Sequence, residues 1–215
     1  MTIDWTQIVL SGVGAGLGTW FGAWAAFRHE RKDREETLHR QQGESLRRTL
    51  FVLLSQRTML TNVRDQQLAL YAGVPLTFRH VAVQPFFVAP EELQLDLEPL
   101  LFVLSTTDAD VLNRLEVTNR SYRTILASIN TRNDLHREGQ NLLAKSGKTG
   151  SVNEAEIKQV VGPNFWAQLK DLTDHLYESL PTTLERIDQN YVAVEAIAKN
   201  EFPEVRLFTV ERLTP

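Results

Sequence analysis

The chain has 215 residues, with 23 Lys+Arg against 27 Asp+Glu, a net charge of −4 and a hydrophobic fraction of 42%. That apolar content can fill one sizeable core, which excludes global disorder. The weakly acidic balance argues against a nucleic-acid partner, because phosphate binding needs a basic face. The absence of cysteine removes disulfides, thiol catalysis and thiolate metal sites together.

The first predicted element covers residues 8–27, IVLSGVGAGLGTWFGAWAAF, which hold no charged side chain. At about 1.5 Å per residue such a helix spans roughly 30 Å, the thickness of a bilayer's hydrocarbon core. Trp5 precedes the run and Trp24 and Phe27 close it, as interfacial aromatic belts do. No Lys or Arg stands before it, so the basic start of a cleaved signal peptide is missing and an uncleaved transmembrane helix is expected. Arg28, Arg31, Lys32 and Arg34 follow immediately, while residues 1–27 carry only Asp4. The positive-inside rule then leaves residues 1–7 outside and places everything after the span in the cytoplasm, on the inner face of the plasma membrane. Glu30, Asp33, Glu35 and Glu36 lie among the basic residues and weaken any pull toward anionic lipid.

Gly14, Gly18, Gly22 and Ala26 recur every four residues, and Gly12 with Gly16 forms a second pair. Small residues at this spacing line one helix face and let two backbones approach, so the span is expected to self-associate.

Beyond the span the chain reads as all-α: a polar helical stalk over 28–45, a bundle of long helices over 46–203 and a tail over 204–215. Leu46, Leu50, Leu53, Leu60 and Val63 keep a three/four spacing, widened by Leu54 and Leu68. Gly73, Pro75, Pro85 and Pro90 break the helical pattern. Val81 and Val83 alternate with other residues, as do Val205, Leu207 and Val210 in the tail. These two stretches could pair as a minor two-stranded β element. Phe86 and Phe87 are expected to plug the helical core, and a short helix is expected over 91–105 with LLFVL buried.

The next helix opens at Thr107 and Asp110, which resemble an N-terminal cap. Its seam is Leu112, Leu115, Asn119, Tyr122, Leu126 and Ile129, continuing through Asn133, His136, Gln140 and Leu143. Polar residues in such a seam can fix register or partner number. The seam is read as facing the protein's own bundle, with Asn133, His136 and Gln140 beyond the core. Ser151 with Glu154 suggests a capping box, and Gly162-Pro163 a helix break. The last long helix carries Phe165, Leu169, Leu172, Leu176, Leu180, Leu184, Ile187, Tyr191, Val194 and Ala198, with Pro181 as a kink or a restart.

The residues that invite chemistry do not complete a motif. Gly12-x-Gly14 lacks a third glycine, since position 17 is Leu17, and Gly147-Lys148-Thr149 lacks the loop glycine at position 142, which is Leu142. Glu36-x-x-His39 has no matching pair for a di-metal site. Asp171, His175 and Glu178 share a helix face but read as a solvated stripe. No catalytic residue, metal or cofactor is expected, and an enzyme is not indicated.

The expected function is a membrane-anchored, self-associating cytoplasmic helical scaffold or interaction protein. Its partners would be the bilayer, further copies of the chain and a cytoplasmic protein, with no nucleic acid. The layout of one glycine-striped span and one cytosolic helical domain also resembles membrane-perturbing effectors of toxin or phage-defence systems. A third alternative is a ligand-sensing bundle that rearranges around residues 73–90.

Overall fold

The computed structural model describes the backbone of residues 5–86, 93–106, 108–147 and 153–204, and side chains from Trp24 onward except that of Ala25. It is all-helical, and no strand occurs among the described residues. The chain divides into two units, Met1–Glu44 and Ser45–Pro215.

Helix α1 (Trp5–Asn62) begins in the first unit. In its polar part four successive four-residue steps hold an ion pair: His29–Asp33 at 3.2 Å, Arg34–Glu30 at 2.5 Å, Arg31–Glu35 at 3.0 Å and Lys32–Glu36 at 3.6 Å, all exposed. Pairs at this spacing support a helix that has no apolar face of its own, by about 0.2–0.5 kcal/mol each. Among the described residues no helix is long and apolar enough to cross a membrane. The side chains of most of the expected span, including Gly14, Gly18 and Gly22, lie outside the described residues; Ala26, at its far end, is exposed.

In the second unit α1 contributes Leu46, Leu50, Leu53 and Leu60 to the core. Its register then changes. Val63–Leu68 is a π-helical turn and Ala69–Tyr71 a 3₁₀ turn. Val63 and Leu68 are five residues apart and both buried, which a π turn allows because it closes every five residues rather than every four. Gly73 and Pro75 end the helix, and Pro75 starts α2 (Leu76–Ala82).

Helix α2 corrects the expected strand. Val81 and Val83 alternate in the sequence, but Val81 is helical and only Val83 is extended, at the helix's C-terminal cap. A seven-residue helix is too short to display a helical period. The partner expected in the tail lies outside the described residues, as does Phe87; Phe86 is buried in the core as expected.

A 3₁₀ segment, Glu98–Ser105, replaces the short helix expected over 91–105. It buries Leu100 and Val103 and leaves Leu101 and Leu104 57% and 59% exposed, because a three-residue repeat turns only one edge inward.

Helix α3 (Val111–Lys145) follows, with Asp110 at its N-cap position. The Asp110 side chain makes no capping bond and instead accepts from Arg114 at 3.2 Å, one turn on; Thr107 lies outside the described residues. The seam faces the protein's own bundle as read. Leu115, Asn119, Tyr122, Leu126 and Ile129 are buried and Leu112 is half-buried. Asn133 and His136, expected beyond the core, are buried in it, while Gln140 is exposed.

Helix α4 (Glu154–Val161) has a capping box at Asn153 and Glu156, with reciprocal 3.0 Å bonds; Ser151, expected to cap, lies outside the described residues. Gly162 adopts φ 89°, a conformation that favours glycine, and Pro163 opens α5 (Pro163–Glu201). Helix α5 runs through Pro181, which is exposed. That is where the missing N–H costs least, since water can serve the freed carbonyl.

Helices α3 and α5 pack along each other. Their facing positions repeat every seven residues: Thr118, Ile125, Arg132 and Gly139 on α3, and Trp166, Thr173, Leu180, Ile187 and Val194 on α5, all buried. A seven-residue repeat keeps one stripe on the partner helix. Asn190 ties the helices by donating to the Thr118 hydroxyl at 2.8 Å and the Arg114 carbonyl at 3.1 Å.

Candidate functional site

Helix α3 presents three buried rows, each repeating every seven residues. The row of Asn119, Leu126 and Asn133 bonds backbone groups that follow α2 and precede the 3₁₀ segment. Asn119 accepts from the Leu95 N–H at 3.1 Å and donates to its carbonyl at 3.5 Å. About four turns further along α3, Asn133 donates to the Phe86 carbonyl at 2.7 Å and accepts from the Phe86 N–H at 3.4 Å. An amide carries both a donor and an acceptor, so each Asn can satisfy one extended residue's two backbone groups, as a neighbouring strand would. Gln56 of α1 adds a bond to the Leu93 carbonyl at 2.6 Å. Side-chain amides of Asn133, Gln56 and Asn119 therefore hold the backbone of Phe86, Leu93 and Leu95 to the bundle.

The second row, Leu115, Tyr122, Ile129 and His136, meets α1 and α2. Tyr122 donates to the Met59 sulfur at 3.3 Å, and burial raises its hydroxyl pKa to about 12. The His136 Nε2 is 3.2 Å from the Val81 carbonyl, so a proton on that nitrogen leaves Nδ1 as an acceptor without a partner.

The third row brings Arg132 between α2 and α5, fully buried. Its Nε donates to the Thr173 hydroxyl at 2.9 Å, and its Nη2 to the carbonyls of His80, at 3.1 Å, and Val83. Thr173 passes its own proton to the Leu169 carbonyl at 2.8 Å. Nη1 has no partner. No carboxylate bonds this guanidinium among the described residues, and desolvation pulls its pKa down to about 10. Burying a cation without a counter-charge is costly, several kcal/mol even after relaxation.

His80 of α2 is 1% exposed, and neither ring nitrogen has a partner among the described residues. Its ring stands edge-on to Trp166 with centroids 4.3 Å apart. Desolvation is the main reason its pKa falls to about 4, so it is neutral at physiological pH. Asp174, whose charge opposes that shift, is taken by Lys170 at 2.6 Å. Nearby, Arg79 lies 4.6 Å over the Tyr177 ring and donates to the Ala72 carbonyl at 3.0 Å, with Nε unpartnered. Tyr177 in turn donates to the Leu68 carbonyl at 2.7 Å, at the end of the π turn.

His80, Arg132 and His136 thus form one buried polar corner where α2 meets α3 and α5. Of its members, sequence reasoning identified only His136, as a seam residue beyond the core. The readable signal was the seven-residue row through Thr118, Ile125, Arg132 and Gly139, which a search for apolar residues alone passes over. Leu112, Leu115, Asn119, Tyr122, Leu126 and Ile129 do share one face of α3, and Asn119 bonds the Leu95 backbone. Asp171, His175 and Glu178 lie along one side of α5, and no group of metal-ligating residues is assembled among the described residues. No family model, curated protein or solved structure matches the chain.

Proposed function

We propose that the protein is a membrane-anchored, self-associating interaction protein whose helical bundle works on the cytoplasmic side. The observation that carries this reading is the uncharged 8–27 stretch, followed at once by Arg28, Arg31, Lys32 and Arg34, within a helix that continues to Asn62. An apolar stretch of that length is matched to a bilayer, and the charge asymmetry orients it. The exposed i,i+4 ion pairs between residues 29 and 36 bring an acid to each of Arg31, Lys32 and Arg34. They favour a solvated stalk over a lipid-binding patch. On the bundle, Leu70, Leu76 and Phe78 are 72%, 60% and 40% exposed, and these apolar side chains suit contact with a protein partner.

Self-association rests on Gly14, Gly18, Gly22 and Ala26 at four-residue spacing. The test is the size of the detergent-solubilised full chain, compared with a Gly14→Leu, Gly18→Leu, Gly22→Leu variant. The wild type should run as an oligomer and the variant as a smaller species. An unchanged size would remove the glycine face from the account.

A further inference from the structure

We propose that Trp24 and Arg28 form a clamp on the phosphate groups of membrane lipids, and that this pair sets the depth at which helix α1 sits in the bilayer. The inference rests on the anchor proposed above and deepens it, by naming the lipid chemistry and the turn of helix that meets it.

Along the polar part of α1 the basic side chains are neutralised one by one. Arg31 pairs with Glu35 at 3.0 Å, Lys32 with Glu36 at 3.6 Å and Arg34 with Glu30 at 2.5 Å. Arg28 differs. Its helix neighbours three and four residues away are Ala25, Arg31, Trp24 and Lys32, so the helix offers it no acid. Its guanidinium lies instead over the Trp24 ring, 5.4 Å from the centroid. Of the four cations that follow the uncharged stretch, Arg28 is the one whose charge remains for lipid. A guanidinium stacked on a ring still presents its N–H edge, and those planar donors match phosphate oxygens in pairs.

The aromatic half of the pair points to the same depth. Trp24 is 51% exposed and Phe27, on the same side of the helix, is 71% exposed. Aromatic rings of this kind favour the headgroup boundary, and an arginine stem can lie along apolar surface while its head reaches the phosphates. Uncharged chain precedes this turn and acid-paired chain follows it. The polarity therefore changes within about one turn, at Trp24 and Arg28. Without this pair the next arginine is Arg31, already bonded to Glu35. The helix would then slide by about 4.5 Å and draw His29 into the lipid boundary.

The chain has no cysteine, so single introduced cysteines report depth. Full chains carrying Ala25→Cys, His29→Cys or Thr37→Cys are reconstituted in vesicles of phosphatidylcholine and phosphatidylglycerol and treated with N-ethylmaleimide. The reagent crosses lipid but attacks the thiolate, which forms in water, so rates report depth whichever way the chain is inserted. Ala25→Cys should react slowly, and His29→Cys nearly as fast as Thr37→Cys. Trp24→Leu with Arg28→Gln should slow His29→Cys about tenfold, the bias that one surface cation and one cation–π contact supply. Both side chains are exposed, so their replacement leaves the bundle intact. Vesicles of digalactosyl diacylglycerol, which carry no phosphate, should slow His29→Cys in the same way without the double change. An unaltered His29→Cys rate in the double variant, with Ala25→Cys still protected, would overturn the clamp and leave the anchor standing. Equal His29→Cys rates in phospholipid and galactolipid would overturn the recognition of phosphate. Ala25→Cys reacting as fast as Thr37→Cys would remove the anchor, and the clamp with it.

Discussion

Replacing Asn133 with leucine should release the Phe86 backbone from α3. The side chain makes a 2.7 Å bond to the Phe86 carbonyl and a longer 3.4 Å bond from the Phe86 N–H. Leucine fills a similar volume but offers neither group, so two buried backbone atoms lose their partner. Each orphan costs about 1–3 kcal/mol, and the longer bond counts at the low end. The expected destabilisation is about 2–4 kcal/mol. It should appear in urea unfolding followed by helical circular dichroism, and amide exchange at Phe86 should accelerate. Helix α3 itself should keep its protection, because leucine favours a helix more than asparagine does. The exposed neighbour Asp134, paired with Arg137 at 2.7 Å, supplies the control: Asp134→Ala should change stability by less than about 0.5 kcal/mol. An Asn133→Leu loss no larger than the control's, with Phe86 exchange unaltered, would refute the role given to the Asn133–Phe86 bonds.

Four further outcomes follow from the same packing. Stability should fall as pH drops from 7 to 5, because the unfolded chain binds a proton on His80 near pH 6.5 while the folded chain waits until about pH 4; this group alone is worth about 2 kcal/mol at pH 5, and a flatter urea-midpoint profile in His80→Phe checks it. A Cβ added at Gly139 would stand 3.1 Å from the Phe165 ring, so Gly139→Leu should cost about 1–3 kcal/mol in urea unfolding, while Gly139→Ala should be close to neutral as helix propensity offsets the crowding. Asp188→Asn breaks the 2.6 Å pair with Arg57, both half-exposed or nearly so, and should cost less than about 1 kcal/mol by the same assay. High-level expression should leave a membrane-potential dye signal unchanged; depolarisation would favour a membrane-perturbing effector instead.

What could be read from the sequence was periodicity and punctuation. Gly162-Pro163 marked a helix break because glycine alone readily takes the φ needed there and proline alone starts a helix without loss. The leucines of α1 and α5 announced their buried faces by spacing. The readings went astray where a face is not apolar. On α5, Thr173, Thr183 and Asn190 are buried, while Phe165, Leu172 and Tyr191, chosen for their hydrophobicity, are half-buried. On α3 the same habit passed over Arg132. Seven-residue spacing carried that information, but only if polar residues were counted. Helix α2 was hidden for another reason: a seven-residue helix between Pro75 and Pro85 is too short for either period to show. The corner at Arg132 depends on which helices meet, and no local pattern encodes that.

The central claim, that this bundle is tethered to a membrane by its first helix, is tested most directly by alkaline carbonate extraction of membranes from cells making the full chain. Carbonate strips peripheral proteins and leaves spanning helices in lipid. The account predicts that the chain stays in the pellet and that a variant with Gly14, Leu17 and Phe21 changed to arginine is released. Release of the unaltered chain into the supernatant would contradict the anchor.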